Sequence, residues 1–121
     1  MGVLEPEVRV LTRSYEVTIW PDDLADDTDA SLWCLSVYYR GAGRWSVSRG
    51  SGDGGPSLGR DGTWSFDKPR FIEDDAEREA WYANYRFTEQ DAIDLAREWA
   101  PKIRVCGKTA AEVVAEVQAG A

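Results

Sequence analysis

The stretch Leu-Trp-Cys-Leu-Ser-Val-Tyr-Tyr-Arg-Gly-Ala-Gly-Arg-Trp-Ser-Val-Ser, residues 32–48, decides the fold of this chain. Apolar side chains occupy every second position on both sides of the Gly-Ala-Gly at 41–43, and alternate residues of a strand share one face. A three-residue loop at 41–43 places Tyr39 opposite Trp45 and gives Gly43 a loop position that commonly has positive φ. The alternative, a two-residue turn, would shift the register and break the apolar face. The pattern therefore predicts a β-hairpin closed by a three-residue loop.

The two faces of this hairpin differ in polarity. The apolar face consists of Trp33, Leu35, Val37, Tyr39, Trp45 and Val47. The other face carries Cys34, Ser36, Tyr38, Ser46 and Ser48. Because the second set is half polar, we predict that this face is either solvated or a binding surface.

Strand patterns come first in the chain and helix patterns follow. Alternation predicts a first strand at 14–20, ended by Pro21, and a fourth short strand at 63–66 after the hairpin. Helical spacing is predicted at 73–85, from Thr88 to Pro101, and again from Thr109. This order predicts an α+β fold: an antiparallel sheet of about four strands with the hairpin central, followed by two or three C-terminal helices packed on one face. We expect a flexible N-terminal arm at 1–13 and a single domain at 14–119.

Two of the predicted helices carry clear start signals. Thr88 is followed three residues later by Asp91, and Thr109 is followed three residues later by Glu112, which is the capping-box spacing or a shorter version of it. The residues Ala92, Leu95, Ala96 and Trp99 then form one apolar helix face. We expect this face, with Trp99 buried, to pack on the sheet.

The sequence does not indicate a catalytic or cofactor site. It contains no histidine, which removes the usual general base near neutral pH and the commonest metal ligand. Cys34 and Cys106 form no CxxC pair and are expected to be reduced, half-buried small apolar residues. The glycines at 50–55 match GxGxxG, but Pro56 follows where a phosphate-binding helix would begin. We therefore predict a protein that is not an enzyme and has no cofactor and no metal.

Charge is unevenly distributed along the chain. The net charge is −8, yet residues 40–70 contain six basic and three acidic residues, a local balance of +3. The middle segment is therefore where an anionic partner could bind, and its candidate residues are Tyr38, Arg40 and Arg44. An acidic cluster at Asp22, Asp23, Asp26 and Asp27 is the second candidate surface.

Three kinds of partner are open at this point. The first is a protein bound at the hairpin face or at the acidic cluster. The second is nucleic acid, bound by Tyr38 and the hairpin arginines, although the overall acidic charge makes this unfavourable. The acidic cluster could instead imitate DNA phosphates and occupy a basic protein. The third kind of partner is a second copy of this chain, joined through the sheet as a homodimer. The sequence contains no run of about 18 apolar residues, so we predict no membrane span.

Three segments together resemble a known group of proteins. They are the hairpin at 37–47, the Asp-Gly-Thr-Trp-Ser-Phe at 61–66, and the tail from Tyr85 to Glu112. The pattern resembles small proteins of unassigned function from actinobacterial phages and actinobacterial genomes. The resemblance implies a non-structural phage protein acting in the cytoplasm of an actinobacterial host, or a prophage remnant. We predict that it acts there by binding a host or phage protein. It implies no catalytic residues.

Overall fold

The computed structural model describes residues 6–24, 30–50, 55–66 and 68–120. Five strands form one sheet: β1 Ser14–Val17, β2 Leu35–Tyr39, β3 Trp45–Arg49, β4 Ser57–Leu58 and β5 Trp64–Ser65. The helices are α1 Asp75–Tyr85, α2 Glu89–Trp99 and α3 Ala110–Ala119, with a small ribbon of β6 Arg104–Val105 and β7 Lys108–Thr109 before α3. The α+β prediction is thus confirmed, with one more sheet strand than expected.

The sheet is antiparallel throughout and runs in the order β1-β2-β3-β4-β5. The predicted hairpin register is confirmed, since Tyr39 stands opposite Trp45 and Val37 opposite Val47. The three-residue loop is closed by a hydrogen bond of 2.7 Å from the Arg40 N–H to the Arg44 carbonyl. All three loop residues have positive φ, so the two glycines stand where a Cβ would be strained.

The core lies between the apolar hairpin face and α2. Leu35, Val37 and Val47 are fully buried there, against Ala92 and Ala96 of the helix. Small alanine side chains let the helix approach the sheet closely, so the larger strand residues fill the space between them. The core forms where the alternation of the hairpin predicts it.

The first strand is shorter than predicted. β1 ends at Val17, and beyond it Ile19 is exposed although it alternates with the half-buried Tyr15 and Val17. Trp20, which alternates with the exposed Glu16 and Thr18, is buried and stacks on Trp33 with ring centroids 5.5 Å apart. Trp33 itself lies in a short 3-10 turn, Ala30–Trp33, rather than in the hairpin strand.

The glycine-rich stretch after the hairpin contributes a strand that the sequence did not predict. β4 pairs with β3 through Ser57 opposite Ser48, and its Leu58 is fully buried. The predicted strand at 63–66 is present as the two-residue β5, but Phe66 beyond its end is exposed. Strands this short hold too few residues for alternation to show.

The helix start signals are confirmed. The Thr88 hydroxyl accepts from the backbone N–H of Asp91 at 3.2 Å, and the Thr109 hydroxyl accepts from that of Glu112 at 3.3 Å. Trp99, predicted to be buried, is half-buried at the end of α2. Pro101 follows and the chain leaves the helix in a 3-10 turn, Ala100–Lys102.

The hairpin face opposite α2 is less open than predicted. Its serines, at 36, 46 and 48, are buried, as is Cys34, while Tyr38 is half-buried. The strand register aligns Ser36, Ser48, Ser57 and Ser65 in one row across β2 to β5. Trp81 of α1 reaches this row, its indole N–H 3.3 Å from the Ser65 hydroxyl. The face is therefore not a solvated or open binding surface at its centre.

Candidate functional site

A cleft with four arginines opens at the end of the hairpin that carries the loop. Its volume is about 520 Å³. It is lined by Arg40, Gly41, Ala42, Arg44, Pro69, Arg70, Tyr82 and Arg86, and we call it the arginine cleft. Three separate parts of the chain meet here: the hairpin end, the turn at 69–71, and α1 with the residue that follows it.

The hairpin supplies the first two arginines. Arg40 and Arg44 directly flank the loop and are joined by its closing hydrogen bond, so their side chains leave on the same face. This is the face of the serine row, because the Arg40 Nε donates to the buried Ser46 hydroxyl at 2.8 Å. The ring of Tyr38 lies 5.6 Å from the Arg40 guanidinium. The sheet thus holds Arg40 at the floor of the cleft.

The other wall holds the remaining cationic and aromatic groups. Arg44 reaches across to α1, where its guanidinium lies 4.3 Å from the centre of the Tyr82 ring. Arg70 belongs to the 3-10 turn Pro69–Phe71, which begins at a proline, and it lies 4.9 Å from the Phe71 ring. Both arrangements are cation–π contacts, which leave the guanidinium N–H groups at the ring edge able to bind anions.

Arg86 is the most buried charged residue of the cleft. Only 7% of it is exposed. Its guanidinium lies 4.7 Å from the Trp81 ring, and its Nη1 donates to the Tyr85 carbonyl at 3.0 Å. The next residue, Phe87, forms a backbone bridge to Trp45 of β3, which fixes the position of Arg86 beside the sheet.

A second, shallower cleft of about 310 Å³ continues from the first and shares Arg44, Tyr82 and Arg86 with it. It adds Arg60, whose Nε donates to the Ala83 carbonyl at 2.8 Å, and one acidic residue, Glu79. The described lining of the arginine cleft itself includes no carboxylate. In a chain of net charge −8, four arginines thus line one cavity.

The structure brings only part of the predicted site together. Arg40 and Arg44 line the cleft, whereas Tyr38 stands beside it through its contact with Arg40. Asp22 and Asp23 lie exposed in a separate 3-10 turn, Asp22–Leu24, and are not part of the cleft. The predicted Asp26 and Asp27 lie outside the described residues.

Sequence reasoning missed Arg70, Tyr82 and Arg86. The basic balance of residues 40–70 included Arg70 without singling it out. Nothing in the sequence points to Tyr82 or Arg86, because only the packing of α1 beside the hairpin brings them to Arg44.

The described residues show few other features of a metal-binding or catalytic site. They hold no cluster of three histidine, cysteine or acidic residues that could bind a metal. Burial raises the pKa of the Cys34 thiol, which makes its nucleophilic thiolate rarer. Cys106, expected to be half-buried, is instead exposed in a turn with a φ of 52°, and neither cysteine is in a disulfide. None of the helices in the described part of the chain is long and apolar enough to cross a membrane.

Comparisons of this chain with protein-family models, with curated proteins and with solved structures found no match.

Proposed function

We propose that this protein is a small non-catalytic binding protein that captures a short acidic segment of a partner protein in the arginine cleft. Its setting, by the resemblance noted from the sequence, is the cytoplasm of an actinobacterial host, with a phage or prophage gene as its source. The observation that carries the proposal is the convergence of Arg40, Arg44, Arg70 and Arg86 on one cavity.

The chemistry of the cleft favours carboxylate groups as ligands. A guanidinium presents a planar fork of N–H donors that matches a carboxylate, and such charge-assisted hydrogen bonds are stronger than neutral ones. Arg44 and Arg86 are each held against an aromatic ring, so less side-chain freedom is lost when a ligand binds.

The surroundings of the cleft favour a short anion over a long one. The first half of α1 carries Asp75, Glu77 and Glu79, with Glu73 and Asp74 just before it. A nucleic acid extends its phosphate charge well past a cavity of about 520 Å³ and would be repelled by these carboxylates wherever a phosphate came within about 8 Å of them. A short peptide segment can place its carboxylates inside the cleft alone.

The rim of the cleft has the composition of a protein interface. Phe71 is 72% exposed beside Arg70, and Tyr82 forms part of the wall. Arginine, tyrosine and phenylalanine are enriched at protein–protein interfaces, where aromatic groups supply contact area. Phe71 therefore offers an apolar contact to a partner whose acidic residues occupy the cleft.

The test is direct binding of two defined probes. A fluorescein-labelled octaglutamate peptide and a labelled oligothymidine with the same number of charges are titrated with the protein, at about 50 mM salt and again at about 200 mM. We expect saturable binding of the peptide, tighter than binding of the oligonucleotide. Tighter binding of the oligonucleotide would overturn the proposal in favour of nucleic acid.

Charge reversal identifies the surface. Arg70→Glu removes an exposed guanidinium that stacks only on the exposed Phe71, so we expect the fold to persist and the peptide Kd to rise at least about tenfold, or about 1.4 kcal/mol. Lys102→Glu makes the same charge change on an exposed residue of the turn after α2, outside the cleft, and its Kd should stay within about twofold of the original. Equal losses in both variants would show a general charge effect and no cleft site.

A further inference from the structure

The outer edge of β1 is free of a partner strand among the described residues. β1 pairs with β2 on its inner side, and its other edge presents backbone N–H and C=O groups that no described strand satisfies. The hairpin itself has no such edge, because β1 lies on one side of it and β4 and Phe87 on the other. The sheet has two edge strands, β1 and β5, and β1 is the one that lies next to the hairpin and is longer than two residues.

A groove runs beside this edge. It has a volume of about 400 Å³ and is lined by Tyr15, Glu16, Val17 and Thr18 of the β1 segment and by Ile93 and Arg97 of α2. Tyr15, Val17 and Ile93 are half-buried and pack against the core, so their remaining exposed surface faces the groove. An extended segment that adds to the β1 edge would cover them with its own apolar side chains.

The chain carries a segment of that kind immediately before β1. Val8 is 94% exposed and Val10 is 99% exposed, two residues apart and thus on one face of an extended segment, and Leu11 is half exposed. Isolated exposed aliphatic residues are ordinary, but three within four positions next to an apolar groove form a pair of matching surfaces.

The same copy cannot join these two surfaces. The Arg13 carbonyl accepts a hydrogen bond of 2.9 Å from the Tyr39 N–H, so the chain runs in line with β1 from residue 13 onwards. A return onto the outer edge would need a tight turn at residues 11–13, which read Leu-Thr-Arg and contain no glycine, proline, asparagine or aspartate, the residues that most favour such turns.

We infer that this protein forms a two-fold symmetric dimer in which residues 8–11 of each copy pair antiparallel with the outer edge of β1 of the other copy. Because the arm and β1 are consecutive, one two-fold axis makes both contacts at once, and the assembly closes as a dimer. The pairing also brings Arg9 of one copy beside Glu16 of the other, which are of opposite charge. An interface of this length is smaller than the standard of about 1,600 Å², so we expect a micromolar Kd.

Sedimentation velocity of the full chain from about 1 to 100 μM tests the inference. We expect a concentration-dependent species of twice the chain mass of 13.5 kDa. The double variant Val8→Asp/Val10→Asp should raise the dimer Kd at least about tenfold while leaving the circular dichroism spectrum unchanged, because both side chains are in solvent. Val117→Asp, at an exposed apolar position of α3, is the matched control and should remain dimeric.

A chain that stays monomeric over this range would overturn the inference. So would a dimer that the double variant leaves intact, or one that only Val117→Asp dissociates, since α3 would then be the interface. Arg70→Glu is expected to keep the dimer, so the result is independent of peptide binding in the arginine cleft.

Discussion

Trp45→Ala is the substitution that tests the packing of the sheet most directly. Trp45 begins β3 and is only 4% exposed. Its ring lies 5.8 Å from that of Tyr15 and 5.4 Å from that of Tyr39, so it fills the space between the first three strands. The backbone bridge to Phe87 uses only main-chain atoms of Trp45 and survives the change. The substitution therefore removes side-chain packing and leaves the hydrogen-bonded frame in place.

Truncation of a buried Trp to Ala costs about 3–5 kcal/mol through lost burial and the cavity left behind. The two aromatic pairs place Trp45→Ala in the upper part of this range, at about 4–5 kcal/mol. Trp99→Ala is the matched comparison. Trp99 is half-buried, packed over Gly62 and next to the Lys102 ammonium 5.0 Å away, so its loss should cost only about 2 kcal/mol.

Urea unfolding followed by far-ultraviolet circular dichroism measures both values, since tryptophan fluorescence would change with the substitutions themselves. With a slope of about 1–3 kcal/mol per molar urea, a loss of 4–5 kcal/mol moves the midpoint by about 2 M. The slope should stay constant, because the same surface is exposed on unfolding. Equal losses for Trp45→Ala and Trp99→Ala, or a loss below about 2 kcal/mol for Trp45, would refute the packing described.

Three further predictions concern local contacts. Thr88→Ala should cost about 1 kcal/mol in the same urea assay, because it removes the cap of α2, whereas Thr88→Ser should restore most of it. Hydrogen bonds, first that from the Thr63 hydroxyl, lower the pKa of Asp61, so its stabilisation is present above the unfolded pKa of about 3.9 and is lost as the pH falls through the lower folded pKa. Asp61→Asn should therefore be less stable than the original chain at pH 7, and this difference in urea midpoint should shrink below pH 4. Ellman's reagent should label the exposed Cys106 quickly and the buried Cys34 only as the protein opens; equal rates would contradict the buried position of Cys34.

The predictions that held rest on information local in the chain. The hairpin register follows from alternation and from the glycines at 41 and 43, all within residues 32–48. The helix starts at Thr88 and Thr109 follow from a hydroxyl that satisfies a backbone N–H three residues away. Neither feature depends on what the rest of the chain does, so the sequence alone is sufficient for both.

The predictions that failed depend on where the chain leaves the sheet. Alternation continues from Tyr15 through Ile19, but pairing with β2 stops at Val17, opposite Leu35. The chain then departs and Trp20, not Ile19, becomes buried, because it stacks on Trp33. Burial of a large aromatic ring stabilises the fold more than extension of a short edge strand does. The periodicity of the sequence does not show at which residue the pairing of β1 with β2 ends.

Only two of the four arginines in the arginine cleft were predicted from the sequence, for the same reason. Arg40 and Arg44 were predicted because they flank a predicted hairpin loop. Charged residues at that position are expected to be exposed and close together. Arg70 and Arg86 come from segments 26 or more positions further along the chain, and they join the site only through the packing of α1 and the 69–71 turn. A site assembled from distant segments has no spacing to detect.

Burial of Arg86 is the strongest physical reason to connect the cleft with binding. A charged side chain at 7% exposure has lost most of its hydration, which is a cost that hydrogen bonds and the Trp81 ring offset. The contacts that offset this cost also hold the Arg86 side chain in one orientation beside Arg44 and Tyr82, so it would lose little freedom when a carboxylate enters the cleft. Arg86→Met should weaken octaglutamate binding and also lower the urea midpoint, because it removes the donor to the Tyr85 carbonyl; octaglutamate binding that is unchanged in the folded variant would place Arg86 outside the site.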